Sequence, residues 1–179
     1  MKLGTLPDYL KPGLDIVAIG LNPSLPSVHA GFYFANPRNR FWRALNASGL
    51  LQAPVEPGIE AMQRVFERDG IGFTDVVKRP TAGGSELRAA DYRTWAPILK
   101  EKLEQFAPRI AWFQGKQACR NYFRYGEAMC VSLDWGLQPF SIGASRVFVT
   151  PNPSPANAAY ALDELTDWMR RLAALRAQL

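Results

Sequence analysis

The stretch LDIVAIGLNPS, residues 14–24, indicates the fold more strongly than any other part of the chain. It begins with a short apolar run, which is typical of a strand buried inside a sheet. It ends in a Gly-Leu-Asn-Pro-Ser turn, which predicts that the strand leaves the sheet there. We therefore expect Asn22 at the carboxyl end of a strand, where α/β sheets usually bind their ligands.

A second turn of the same kind, Asn-Pro-Ser at residues 152–154, follows another apolar run at residues 147–150. Asn-Pro is a common turn initiator, so one such turn alone is weak evidence for a site. Two of them at strand ends, far apart in the sequence, can frame one pocket. The pair therefore predicts a ligand site at one edge of a sheet.

Strand and helix patterns alternate along the whole chain. Strand-like runs at residues 15–20, 72–77, 109–113, 137–142 and 146–150 are interleaved with helical patterns at 39–49, 59–68, 90–106, 115–125 and 158–175. This alternation predicts an α/β fold with three layers, α/β/α, and a mostly parallel central sheet. The length of 179 residues suits a single domain over residues 1–179. The proline-rich residues 23–37 are also aromatic, and we expect an ordered loop there.

The composition narrows the classes of function. The net charge of +5 suits a polyanionic partner, although a solvated basic surface would look the same. Two cysteines without a CxxC or Cys/His cluster cannot frame a zinc or iron–sulfur site. No apolar run is long enough for a membrane span or a signal peptide. We expect a cytoplasmic protein without metal or cofactor.

Further segments accompany the two turns in a recognisable order: GFYFANPRNRFW at 31–42, GFTDVVKRPT at 72–81, GKQA at 115–118, WGLQPFSI at 135–142 and NPSPANA at 152–158. With GLNPS at 20–24, they make the chain resemble the mismatch-specific uracil/thymine-DNA glycosylases, a branch of the uracil-DNA glycosylase superfamily. The resemblance covers nearly the whole chain. It implies a uracil-DNA glycosylase-like fold and hydrolysis of the N-glycosidic bond of uracil flipped out of DNA, leaving an abasic site.

The resemblance also implies partners. We expect a monomer acting on double-stranded DNA that contains uracil, in U:G mismatches and in other contexts, with single-stranded DNA left open. It would associate with the nucleoid and not with a membrane. The motifs place no lysine for Schiff-base chemistry, which predicts a monofunctional enzyme. A non-catalytic DNA-binding module with the same fold is the alternative. A hydrolase of free nucleotides is disfavoured, because no Gly-rich phosphate loop is present.

Two residues are the candidate catalytic groups. Asn22 matches the family's catalytic position, where a neutral amide can orient a water. Asp75 stands where the family has an Asn or a Lys, and a carboxylate there could activate the water or stabilise the cationic sugar. Two interpretations of Asp75 stay open, a share in catalysis and a turn residue paired with Lys78 or Arg79.

The resemblance assigns a base pocket to Gly20, Leu21, Ser27 and Phe34. Phe34 matches the aromatic residue that stacks on the flipped base, although a core phenylalanine is the alternative. Ser27 falls where the family controls the room for a thymine methyl, and a serine there disfavours thymine; a serine of a surface loop is the alternative.

The second turn matches the family's DNA-intercalating loop, which here comprises Asn152, Pro153, Ser154, Pro155 and Ala156. Pro153 and Ser154 would grip the DNA backbone. Relatives place a large wedge residue in this loop, whereas Ala156 is too small to fill the hole left by a flipped base. We therefore expect a weaker preference for mismatches. Basic residues beside the motifs are predicted phosphate contacts: Lys78, Arg79 and Lys116, with Arg38, Arg40, Arg43 and Arg120 nearby.

Overall fold

A five-stranded sheet forms the middle layer of the structure, a computed structural model that describes residues 4–179. Its strands are β1 Ile16–Gly20, β2 Ile71–Asp75, β3 Ile110–Gln114, β4 Gly136–Ile142 and β5 Ser145–Thr150. They lie in the order β2-β1-β3-β5-β4, and β4 pairs with β5 in antiparallel fashion while the other three pairings are parallel. The predicted mostly parallel sheet is confirmed.

The helices are α1 Leu25–Ala30, α2 Phe41–Ala47, α3 Ile59–Arg68, α4 Ala89–Phe106, α5 Lys116–Gly126 and α6 Leu162–Gln178, with a 3-10 turn at Gly84–Glu86. Among these, α1 replaces part of the ordered loop predicted at residues 23–37, whereas residues 31–37 form no helix or strand. Ser24 caps α1 by accepting a hydrogen bond from the Ser27 N–H, and Pro26 lies in the first turn. Proline is tolerated there because the first N–H groups of a helix have no partner within the helix. None of the helices in residues 4–179 is long and apolar enough to cross a membrane.

Each face of the sheet carries its own apolar layer. Helices α2, α3 and α6 pack on one face around Phe41 and Trp112, while α4 and α5 pack on the other around Phe113 and Tyr122. Successive residues of β3 thus point to opposite layers, as the two-residue period of a strand requires. Because both faces are covered, the parallel strands are mostly apolar, with polar residues near their ends. The three-layer α/β/α prediction is confirmed.

The carboxyl ends of the four parallel strands meet at one edge of the sheet. Asp75 of β2 pairs there with Gly20 of β1, and Gln114 of β3 pairs with Thr150 of β5. Both Asn-Pro-Ser turns leave from this edge. Outside β2, the N-terminal segment pairs with the sheet through Tyr9 and Phe73, whose backbone groups exchange hydrogen bonds of 2.9 and 3.1 Å.

Candidate active site

A cleft of about 660 Å³ opens at this edge of the sheet. The structure brings most of the sequence-predicted site residues into its walls: Gly20, Leu21, Asn22, Ser27, Phe34, Asp75, Lys116, Asn152, Ser154 and Ala156. The two Asn-Pro-Ser turns frame it from opposite sides of β3. Lys78, Arg79, Pro153 and Pro155 lie outside the lining of the cleft.

The side chain of Asn22 is held in one orientation. Its Nδ2 donates to the backbone oxygen of Arg79 at 2.9 Å and to Oγ1 of Thr81 at 2.8 Å. Because a carbonyl oxygen can only accept, these contacts identify the nitrogen and leave Oδ1 as the other end of the amide. Within residues 4–179, no donor reaches Oδ1. The amide therefore presents an acceptor to the cleft.

Asp75 is a buried carboxylate at the end of β2, with 4% of its surface exposed. Burial raises its pKa from 3.8 to about 6, and this is opposed by the positive charge of Lys78, whose Nζ lies 3.4 Å from Oδ2. The other oxygen, Oδ1, lies over Gly20, where an added Cβ would come within 2.5 Å of it. Glycine at position 20 thus makes room for the carboxylate. A carboxylate that changes charge near neutral pH can take up a proton there.

Lys78 faces the interior behind Asp75. Only 6% of its surface is exposed, and its Nζ donates to Oδ1 of Asp8 at 2.9 Å and to the Tyr33 hydroxyl at 3.0 Å. Asp8 also accepts from Thr74 and Lys102. The predicted phosphate contact of Lys78 does not agree with this position, because a buried, fully engaged ammonium cannot reach DNA. Lys78 pairs here with both carboxylates, and Lys102 supplies the second positive charge through Asp8.

Phe34 forms part of the cleft wall and also packs on the core. Its ring stacks on that of Phe41, with centroids 4.0 Å apart and planes 20° apart. Its backbone adopts a φ of 57°, in the left-handed region that a residue with a bulky side chain rarely occupies. Such strain is retained where the surroundings hold it, and it clusters at ligand sites. Ser27 supports this segment, since its buried Oγ accepts from the Ala35 N–H at 3.2 Å.

The second turn is held by internal hydrogen bonds and by Arg40. Oδ1 of Asn152 accepts from the Ser154 N–H at 2.9 Å, and the Asn152 carbonyl accepts from Nδ2 of Asn157 at 2.9 Å. The Arg40 guanidinium donates to the carbonyls of Ser154, Asn157 and Tyr160. Arg40 therefore anchors this loop, and the expectation that it contacts a phosphate does not fit three carbonyl partners.

The remaining predicted DNA contacts lie in different surroundings. Pro153 is buried, so it cannot grip the DNA backbone as expected, whereas Ala156 is exposed at the loop tip. Arg79 is at the surface, where its guanidinium forms two hydrogen bonds with Asp91 of 2.7 and 2.8 Å. Lys116 opens α5 at the cleft, with Nζ 4.5 Å above the Trp135 ring. It is thus the predicted phosphate contact that borders the cleft.

Sequence reasoning missed several residues of the site. Thr81 holds Asn22, Tyr33 and Asp8 hold Lys78, and Gln114 lies buried in the cleft wall. Thr81 could have been found, since it ends the turn that follows β2. Asp8 gave no signal, because it reaches Lys78 only through the pairing of the N-terminal segment with β2.

Together, the cleft holds a positioned amide oxygen, a buried carboxylate and an aromatic wall. No group of three or more His, Cys, Asp or Glu side chains that could bind a metal occurs in residues 4–179. The concave edge of a parallel sheet with these groups suits a planar, polar ring that must be both stacked and hydrogen-bonded.

The fold and the cleft thus place the protein among three-layer α/β proteins with a cleft at the carboxyl edge of their sheet. A family model narrows this class: that of the uracil DNA glycosylase superfamily matches residues 7–176, and the chain belongs to this superfamily. The superfamily predicted from the motifs is confirmed, and membership supports DNA glycosylase activity and DNA as the partner.

A solved structure shares the fold. A Methanosarcina acetivorans protein, provisionally named a uracil DNA glycosylase and determined by solution NMR, is 22% identical in sequence. The match covers 97% of this chain and 99% of that one, with a TM-score of 0.62. The likeness extends over both chains and supports the architecture described above.

Proposed function

We propose that this protein is a monofunctional uracil-DNA glycosylase, which hydrolyses the N-glycosidic bond of uracil flipped out of DNA and leaves an abasic site. The observation that carries the proposal is the joint presence of the oriented Asn22 Oδ1 and the buried Asp75 in one cleft. One is an acceptor for a water, and the other is a base that titrates near neutral pH.

The flipped base is bound against Phe34. An enzyme that attacks a glycosidic bond in duplex DNA must first extrude the nucleotide. Stacking on an aromatic side chain contributes about 1–3 kcal/mol per base and offsets part of the lost base stacking. The strained backbone of Phe34 holds its ring against Phe41, so little conformational freedom remains to be lost on binding.

The hydrolytic step uses Asn22 and Asp75 together. The water donates one hydrogen bond to Oδ1 of Asn22 and gives a proton to the Asp75 carboxylate as its oxygen bonds to C1′ of the sugar. The C1′–N1 bond breaks, and its electron pair leaves with the base. The carboxylate also stabilises the positive charge that develops on the sugar before the proton moves. Asp75 therefore takes part as a base and as a counter-charge.

Two features support the monofunctional mechanism and the range of uracil contexts in this proposal. Lys78, beside Asp75, is engaged by Asp8 and Tyr33 and lies outside the cleft lining, which supports hydrolysis without a Schiff base. Ala156 at the loop tip offers no large side chain to fill a gap in the duplex. This supports acceptance of uracil in U:G and in other contexts, including U:A and single-stranded DNA.

Base release from end-labelled DNA tests the proposal. U:G, U:A, single-stranded U and T:G substrates are incubated with the wild type, Asn22→Ala and Asp75→Asn, then treated with alkali. We expect alkali-dependent cleavage of the uracil substrates by the wild type and little by either variant. Cleavage without alkali contradicts the monofunctional part, and a strict need for an opposite guanine contradicts the wider range. If no substrate yields abasic sites, the non-catalytic DNA-binding module becomes the better interpretation.

A further inference from the structure

Gln114 is a buried polar side chain without a partner. Only 2% of its surface is exposed, and neither Nε2 nor Oε1 has a hydrogen-bond partner within residues 4–179. It ends β3, the central strand of the sheet, and it lines the cleft. A buried amide that makes no hydrogen bond disfavours folding, so native proteins keep one only where something compensates.

A second glutamine shows the ordinary arrangement. Gln138 of β4 is also buried, with 5% of its surface exposed. Its Nε2 donates to the carbonyls of Asp134 at 2.7 Å and Gly136 at 2.9 Å, and its Oε1 accepts from the Asp134 N–H at 3.3 Å. The fold can thus satisfy a buried carboxamide from its own backbone. It does not do so for Gln114, which faces a cleft.

The register of the sheet places Gln114 opposite Asp75. Gly20 pairs with Asp75 on one side. On its other side Ile19 pairs with Phe113, so Gln114, the next residue of β3, follows beside Gly20. The Asp75 carboxylate reaches over Gly20, which lies between the two strands. The carboxylate and the Gln114 carboxamide therefore border the same part of the cleft.

Gln114 also lies on the aromatic side of the sheet. Trp112, two residues earlier in β3, shares its face and stacks on Phe41, with centroids 5.6 Å apart. Phe41 in turn stacks on Phe34. A ring bound against Phe34 therefore lies on the same face as the two unpaired atoms of Gln114.

We propose that Gln114 binds the edge of the extruded base. Nε2 donates to a base carbonyl oxygen, and Oε1 accepts from the ring N–H beside it. Uracil carries this C(=O)–N–H edge, and the ligand class is any nucleobase with the same edge. Thymine shares it, so Gln114 does not distinguish the two bases. The inference rests on the proposed function for the identity of the base.

The first test combines rate and stability. Gln114→Leu keeps the size of the side chain and removes both polar atoms. Losing two hydrogen bonds to the base lowers the single-turnover rate on uracil DNA by about 10- to 100-fold. Because the lost amide was unpaired, the midpoint of thermal unfolding stays unchanged or rises by about 2–4 °C. Gln138→Leu, the matched control, lowers that midpoint. A Gln114→Leu protein that is less stable and fully active overturns the proposal.

The second test observes the amide without catalysis. The Nε2 protons of Gln114 are assigned in a ¹⁵N–¹H spectrum by their loss in Gln114→Leu. Free uracil, and duplex DNA carrying 2′-fluoro-2′-deoxyuridine, are then titrated in, since the fluorine opposes positive charge on the sugar and slows cleavage. We expect the Gln114 side-chain signals to shift with both probes, and their failure to shift overturns the proposal.

The two tests separate this inference from the proposed function. If the probes shift the Gln114 signals of the wild type but the wild type releases no uracil, base binding is supported and the glycosylase activity is contradicted. A wild type that releases uracil, with an equally active Gln114→Leu, contradicts the role of Gln114 alone.

Discussion

Replacing Asp75 by Asn should change both stability and rate in a pH-dependent way. A rise in the pKa of Asp75 from 3.8 to about 6 means that folding disfavours the ionised form, relative to the protonated form, by about 3 kcal/mol. Since the pKa is higher in the folded state, the unfolded chain loses its proton first as pH rises. Asp75 therefore reduces the free energy of unfolding progressively between pH 4 and pH 6. The neutral amide in Asp75→Asn removes this dependence.

Urea unfolding at pH 4 and pH 7.5 measures the effect on stability. The difference in free energy of unfolding between Asp75→Asn and the wild type should grow by up to about 3 kcal/mol, in favour of the variant, from pH 4 to pH 7.5. The single-turnover rate of the wild type should rise with pH, reach half its maximum near pH 6, and fall about 10²- to 10⁴-fold in the variant. Glu56→Gln, which changes an exposed carboxylate outside the helices and strands, should alter neither property. A fully active Asp75→Asn with an unchanged pH profile would refute the role of Asp75.

Four further outcomes are expected. Asn22→Ala should lose at least about 100-fold in single-turnover rate with DNA affinity unchanged, since it removes the acceptor for the water. Thr81→Val should lower the single-turnover rate about 5- to 10-fold, because Nδ2 of Asn22 keeps only one of its two hydrogen bonds. Arg40→Lys should weaken DNA binding about tenfold in a fluorescence anisotropy titration, because an ammonium cannot hold three carbonyls as the planar guanidinium does, whereas the exposed Arg43→Lys should bind normally. Ala156→Leu should raise the rate ratio of U:G duplex to single-stranded uracil, and an unchanged ratio would contradict the weakened wedge.

The layers of the fold were largely predictable, because they depend on periodic apolar patterns. The helix predicted at residues 59–68 has those bounds, and the strand predicted at residues 15–20 begins one residue later. Helix α1 was missed because Pro23 and Pro26 read as turn signals, although Pro26 lies in the first turn of the helix, where proline is accepted. The apolar pattern thus predicted the helices and strands correctly wherever no proline gave a competing turn signal.

The site was predictable only where a motif lies at a strand end. Asn22 and Asp75 follow apolar runs, and the sequence therefore indicated them. The burial of Lys78 depends on Asp8, a partner distant in the chain, and a lysine in a turn is ordinarily exposed. Gln114 also follows an apolar run, but no motif marks it, and the lack of hydrogen-bond partners for its side chain is visible only in the structure.

The N-terminal segment affects the pKa of Asp75 through the charge of Asp8. Asp8 and Asp75 balance Lys78 and Lys102, so this group of four charges is neutral as a whole when both carboxyls are ionised. The charge of Asp8 is one of the causes that raise the pKa of Asp75. Trimming the chain before Tyr9 would leave an excess positive charge behind Asp75 and make it a stronger acid. A preparation shortened at this end would therefore hold a weaker base and shift its activity to lower pH, although it would still contain Asn22, Asp75 and Phe34.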